Sequence, residues 1–264
     1  MTEFVFRSRD LVRAVVVLVL LLGAAACSAR EEAPPPDPAL ADRFLFERGT
    51  DALNRRKWLD AREYYRQIVD NYPLSPHRAD AKLGIGDAFL GEETAESLVL
   101  AANEFREFLT FYPTHERADY AQYKLAMTYF AQMRAPDRDQ TPTKEALAEF
   151  DAFFTRFPNS PLTPEVKEKW RIARDRLSAW SYGAGLFYYR RQWYPGAIDR
   201  FREVIREDPG FSQMDGVYYH LAESLARTDK KAEAIPLFDR LVSEYKASEH
   251  LEKAQERLQE LKAQ

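Results

Sequence analysis

The feature that most constrains the fold of this chain is a pattern of four residues that recurs five times. An alanine is followed after four residues by an aromatic side chain, after seven by an apolar one, and after twelve by proline. These offsets place the first three residues on one face of a helix, and the proline ends that helix. In the last copy, lysine stands in place of the proline. The copies begin at Ala61, Ala101, Ala146, Ala197 and Ala234, and their aromatic residues are Tyr65, Phe105, Phe150, Phe201 and Phe238.

A second small residue precedes each copy, at the point where a first helix would cross the helix of the pattern. These residues are Gly49, Gly86, Ala126, Gly185 and Ala222. The arrangement resembles the tetratricopeptide repeat, a helix–turn–helix unit with small residues where its two helices cross. The resemblance predicts an all-α superhelix, or solenoid, of five such helix pairs, closed by a charged capping helix at its C-terminal end.

Extra residues between the copies indicate where the chain departs from a regular repeat. About eight of them fall in a loop near residues 136–142, and the largest excess precedes the fourth copy. There, Thr163, Pro164 and Glu165 provide an N-cap, a proline in the first turn and a first-turn acid. They predict an added helix of about 15 residues before repeat four, which either continues into the helix that carries Gly185 or kinks against it.

The N-terminal segment has the pattern of a secretory signal. Arginines precede an unbroken apolar run over residues 14–22, which is too short to span a bilayer, and small residues then lead to Cys27. Small residues that end on a cysteine resemble the lipobox of bacterial lipoproteins, although Ala24 stands where that family usually has leucine. The resemblance implies that Cys27 is lipidated. The alternative is a plain secretory signal with an incidental cysteine.

These observations divide the chain into three parts. We expect a lipoprotein signal peptide over residues 1–26, a lipidated N-terminus with a proline-rich tether over residues 27–40, and a repeat domain over residues 41–264.

Ser28 follows the cysteine, where many bacteria read aspartate as a signal for retention in the inner membrane. The resemblance therefore implies that the lipid anchor lies in the outer membrane.

Composition and motif content argue against several classes of function. The net charge is −4, with acidic and basic residues interleaved, and no basic block suits a nucleic acid. The four histidines are scattered, so we expect no metal and no cofactor. Ser243 and Lys246 match the S-x-x-K motif of serine acyl-enzymes but lack its companion motifs. We therefore expect a protein that binds other proteins and catalyses nothing. An enzyme with a repeat docking surface is disfavoured, because no residues remain to form a catalytic domain.

The concave face of such a superhelix is lined by the first helix of each pair. Counting from the small residue of each copy identifies the side chains that point there. A groove with this many apolar and aromatic side chains predicts a protein-binding site. The alternative is that tight curvature buries these side chains against one another. The predicted groove residues are Phe46, Leu83, Leu90, Tyr120, Tyr123, Met127 and Phe130.

The chain as a whole resembles the family of the outer-membrane protein assembly factor BamD, most specifically in the sequences FTRFPNSPLTPEV and FYYRRQWYPGAIDRF. The resemblance implies a lipoprotein on the periplasmic face of the outer membrane. It implies binding to the periplasmic domain of the barrel protein BamA and to other lipoproteins of the assembly complex. It also implies binding of unfolded β-barrel substrates by their C-terminal signal, an extended strand that ends in an aromatic residue.

Two arginines are implied as partner-binding residues by the same resemblance. The family carries the motif R-x2-W-like-x4-A/V-x2-R, whose last arginine contacts an acidic residue of BamA. Arg200 matches that last arginine and Arg191 matches the first, although the aromatic residue, Trp193, is shifted by one position. The alternative for Arg200 is an exposed helix charge.

The alternative for the chain is another tetratricopeptide lipoprotein of the envelope, such as a pilus-assembly pilotin or a peptidoglycan-linked coordinator. The helix inserted before the fourth copy distinguishes this chain from the pilotins.

Overall fold

The computed structural model describes residues 38–263, so the predicted signal peptide, Cys27 and most of the tether lie outside the described part of the chain. Between these limits the chain forms eleven helices and no strand. They are α1 (Pro38–Asn54), α2 (Trp58–Asn71), α3 (Arg78–Glu92), α4 (Ala95–Phe111), α5 (Ala118–Phe130), α6 (Thr141–Arg156), α7 (Thr163–Arg190), α8 (Tyr194–Glu207), α9 (Met214–Ala226), α10 (Lys231–Glu244) and α11 (Leu251–Ala263). Helix α1 begins at Pro38, three residues before the predicted start of the repeat domain.

The helices associate as five consecutive antiparallel pairs, α1–α2 to α9–α10, and α11 packs on the last pair. This arrangement confirms the predicted all-α solenoid with a C-terminal capping helix. The pattern alanines lie at the crossing within each pair and are fully buried, together with the aromatic residues that follow them. Burying an aromatic side chain removes a large apolar area from water, so these rings contribute much of the stability of each pair.

Gly185 illustrates why a small residue is needed at the crossing. The buried ring of Phe201 on α8 lies directly against the backbone of α7 at this position. A Cβ atom at Gly185 would lie 3.0 Å or less from three carbons of that ring. A larger residue would therefore push the two helices of the fourth repeat apart.

The helix predicted before repeat four and the first helix of that repeat form one continuous helix, α7, of 28 residues. Pro164 occupies its first turn, where the missing N–H does no harm. Val166 and Ala173, seven residues apart, are fully buried in the core of the third repeat. Because one buried stripe continues along the added residues, the helix has no reason to kink.

A repeated polar contact joins each helix pair, from the second onward, to the element that follows it. An aspartate of a first helix accepts a hydrogen bond from the turn that precedes the following first helix. Four such contacts, at 2.5–2.8 Å, are Arg117 to Asp80, Ser160 to Asp119, Ser212 to Asp175 and Ser248 to Asp215. A charge-assisted hydrogen bond at each of these four junctions helps to fix the register of successive elements. None of the helices between residues 38 and 263 is both long enough and apolar enough to cross a membrane.

Candidate protein-interaction sites

A cleft with a volume of about 470 Å³ lies among the first helices of repeats one to three. Its apolar wall consists of half-buried side chains from α1, α2, α3 and α5. Trp58, at the start of α2, lies flat on Gly91, where a Cβ atom would stand 2.7 Å from the indole ring. The volume and the apolar wall together leave room for an apolar side chain of a ligand. The residues of this wall are Leu53, Trp58, Leu90 and Met127.

Four of the seven predicted groove residues line this cleft, namely Leu90, Tyr120, Tyr123 and Met127. The prediction is wrong for Leu83, which is fully buried in the core. Neighbouring first helices pack directly against each other, so they cover a side chain that points between them.

The two remaining predicted groove residues contact other rings and do not line the cleft. Phe46 is stacked on His77, with ring centroids 4.9 Å apart. Phe130 meets the edge of Phe150 at 6.2 Å. Both side chains are half-buried and serve the packing of their own repeats.

The floor of the cleft holds a carboxylate that is almost removed from solvent. The side chain of Asp87 is 14% exposed, and its two oxygens accept the hydroxyl of Tyr120 at 2.9 Å. The ammonium group of Lys124 lies 3.7 Å from the same carboxylate. Burial raises the pKa of the Asp87 carboxyl above its ordinary value, although Lys124 and Tyr120 oppose the shift. The same burial, with Asp87 beside it, raises the pKa of Tyr120, so its hydroxyl stays protonated and donates.

A second tyrosine–carboxylate pair connects the cleft to α7. The hydroxyl of Tyr123 donates to Glu165 at 2.7 Å. Burial and this acceptor raise the pKa of Tyr123, so this hydroxyl also remains a donor. The pair fixes the aromatic ring at the edge of the cleft while Glu165 stays exposed to solvent.

Sequence reasoning did not place the charged residues among the site residues. Asp87 directly follows Gly86, and its position on the concave face is readable from the repeat. Glu93 and Glu165 carry no such signal, because they join the cleft from the turn after α3 and from the added part of α7, and Lys124 joins it from α5. Within residues 38–263, no group of three or more potential metal ligands is brought together.

The two predicted partner-binding arginines lie on the fourth repeat and have different contacts. Arg200, on α8, forms an ion pair with Glu203 at 2.9 Å, and its side chain is 39% exposed. Arg191, at the end of α7, lies over the ring of Phe187 at 4.7 Å. Such exposed contacts hold the guanidinium groups weakly, so both remain accessible to a partner.

An exposed aromatic patch accompanies these arginines. Phe187 is 52% exposed and Trp193 is 56% exposed. Trp193 lies over Gly196, and Arg200 follows on the same face of α8, one helical turn further along. We define the fourth-repeat surface as Phe187, Arg191, Trp193 and Arg200. It combines large aromatic rings with arginine, the residue types most enriched where proteins bind each other.

Five helix pairs, a cleft among the first helices and an exposed aromatic–arginine surface define a tetratricopeptide-repeat scaffold. A tetratricopeptide repeat model matches residues 217–248, which cover most of the fifth pair. The YfiO family model, described as outer membrane lipoprotein, matches residues 38–232. The chain therefore belongs to this family, which is the family of the outer membrane protein assembly factor BamD.

Proteins named outer membrane protein assembly factor BamD in several bacteria are similar to this chain. The chain is 29% identical to the outer membrane protein assembly factor BamD of Caulobacter vibrioides, over 68% of this chain and 58% of that protein. It is 27% identical to BamD of Vibrio cholerae serotype O1, over 62% of this chain and 71% of that protein. Among solved structures, it aligns with a tetratricopeptide repeat protein from Parabacteroides merdae at 13% identity and a TM-score of 0.36, over 84% of this chain and 87% of that one.

Proposed function

We propose that the chain is a scaffold lipoprotein of the machinery that assembles β-barrel proteins in the outer membrane. The observation that carries the proposal is the family match over residues 38–232, together with relatives named as outer membrane protein assembly factors. The chain is held on the periplasmic face of the membrane by a lipid on Cys27. It acts by binding proteins and performs no catalysis.

The cleft of repeats one to three receives the unfolded barrel substrate. Its apolar wall accommodates a large side chain, and its two tyrosines are held in place by hydrogen bonds to Asp87 and Glu165. Half-buried Leu90 and Met127 would become covered by the substrate, which supplies a hydrophobic driving force. Phe46 and Phe130 support this region from outside the cleft.

The fourth-repeat surface receives the periplasmic domain of BamA. Two exposed rings beside two arginines suit a partner that presents an acidic residue next to an apolar patch. Arg200 would exchange its exposed pair with Glu203 for a carboxylate of BamA that becomes covered in the complex. A covered pair contributes more to affinity than an exposed one.

Affinity capture from detergent-solubilised envelopes tests the proposal. A tagged chain should retain BamA, and the Arg200→Glu variant should retain much less of it. Arg206→Glu is the matched control, because Arg206 is an exposed arginine on the same helix and its ion pair is with the neighbouring Glu207. Pilus or peptidoglycan-linked proteins in the eluate, without BamA, would overturn the proposal in favour of another envelope scaffold.

A further inference from the structure

The cleft in repeats one to three has an excess of acidic side chains, whereas the carboxylate of a free C-terminus would need basic ones. Three carboxylates line it, Asp87, Glu93 and Glu165, against the single ammonium group of Lys124. Neither Glu93 nor Glu165 forms an ion pair with another described residue, and both are exposed at the rim. The cleft therefore presents a net negative charge to a ligand.

Lys124 is already engaged within the cleft. Its ammonium group lies 3.7 Å from Asp87 and 5.2 Å from the centre of the Tyr120 ring. A carboxylate of a ligand would have to compete with Asp87 for Lys124, and it would also face the carboxylates of the rim. Like charges brought together in this way weaken binding.

Polar and apolar groups alternate along the helices that form the cleft. Leu90, in the last turn of α3, and Glu93, which caps that helix, are three residues apart and both line the cleft, as do Asp87 and Leu90 one turn earlier. Side chains with this spacing are neighbours about 5–6 Å apart on a helix surface. In an extended peptide, side chains on one face are two residues apart, or about 6.6 Å. One extended segment can therefore present an apolar side chain to the wall and a charged one to a carboxylate.

We infer that the cleft selects extended segments that carry a lysine or arginine two residues from an apolar or aromatic side chain. A carboxylate in place of that lysine or arginine, including the free carboxylate of a chain end, is disfavoured. The inference rests on the proposed function of the cleft and specifies its ligand. The apolar side chain lies against Leu90 and Met127, and the cationic group reaches the carboxylates of Glu93 and Glu165 at the rim.

Binding of short fluorescent peptides to the full chain tests this inference. The peptides have blocked ends and a phenylalanine, and they differ only in a lysine, glutamine or glutamate two residues away. A further peptide ends in a free carboxylate at that position. We expect the lysine peptide to bind about five-fold more tightly than the glutamate peptide, as two exposed charge contacts would give. The free-carboxylate peptide should bind no better than the glutamate one.

Charge-removing variants assign this preference to the rim. Glu93→Gln with Glu165→Gln should reduce the lysine preference to less than about two-fold. Glu63→Gln with Glu116→Gln removes the same charge from exposed positions outside the cleft and should leave the preference unchanged. Equal binding of all peptides, abolished by Leu90→Ala with Met127→Ala, would overturn the charge selection while supporting an apolar groove. Failure of every peptide to bind would overturn the proposed function of the cleft and this inference with it.

Discussion

Exchange of Gly185 for alanine tests the packing of the fourth repeat. Phe201 is fully buried against this glycine, and a Cβ atom there would lie 3.0 Å or less from three ring carbons. Two effects then act in opposite directions. Alanine is a better helix former than glycine by about 1 kcal/mol. Overpacking a filled core costs about 1–3 kcal/mol.

Gly183 offers a matched control on the same helix, because a Cβ atom at this exposed position meets nothing within 4 Å. Gly183→Ala should therefore stabilise the fold by up to about 1 kcal/mol. The difference in free energy of unfolding between the two variants should equal the overpacking cost, about 1–3 kcal/mol.

For a chain of this length, 1 kcal/mol shifts the melting temperature by roughly 2–4 °C. Gly185→Ala should thus melt roughly 2–12 °C below Gly183→Ala in a far-UV circular dichroism experiment. Equal melting temperatures would refute the claim that the crossing of α7 and α8 leaves no room for a side chain at Gly185.

Three further predictions concern anchoring and stability. Cys27→Ser should move the protein from the membrane to the soluble periplasmic fraction, and a mutant that still sediments after a high-salt wash would contradict the lipid anchor. Burial lowers the pKa of His220 in the folded protein below its ordinary value of 6.5. The neutral ring therefore contributes to the free energy of unfolding above pH 6.5, and this contribution is lost as the pH falls through the lower pKa of the folded state. His220→Gln should flatten this part of a melting-temperature profile against pH. Asp208 is buried, but its hydrogen bonds from Arg171 and Ser178 outweigh burial and lower its pKa below 3.8. Asp208→Asn should lower the free energy of unfolding by roughly 1–3 kcal/mol at neutral pH, a figure kept small because Arg171 is about a third exposed. The difference from the parent should vanish at acidic pH, where the parent's own Asp208 becomes protonated.

The repeat architecture could be read from the sequence because its determinants are local. An alanine and an aromatic residue four apart define a buried helix face, and a proline marks its end. The crossing residues Ala197 and Gly185 therefore follow from spacing alone. Whether the added helix would continue into the helix that carries Gly185 could not be decided, because Val166 and Ala173 reveal their burial only when the third repeat packs on them.

The cleft was only partly predictable because it depends on the angle between successive pairs. Leu83 and Tyr123 occupy the same repeat position and both are buried, yet only Tyr123 lines the cleft. The bonds of Tyr120 to Asp87 and of Tyr123 to Glu165 join residues 33 and 42 positions apart. The repeat period brings successive first helices together, but it does not specify which side chains of these helices form hydrogen bonds.

The central claim is that one chain carries two separate binding surfaces. The most direct test titrates two ligands, the BamA periplasmic domain and an aromatic barrel-signal peptide, against Arg200→Glu and against Leu90→Ala with Met127→Ala. The first variant should lose BamA affinity by several kcal/mol and bind the peptide as the parent does. The second should lose peptide affinity and keep BamA. If either variant, still folded by circular dichroism, lost both ligands, the two surfaces would be one site and the account would be wrong.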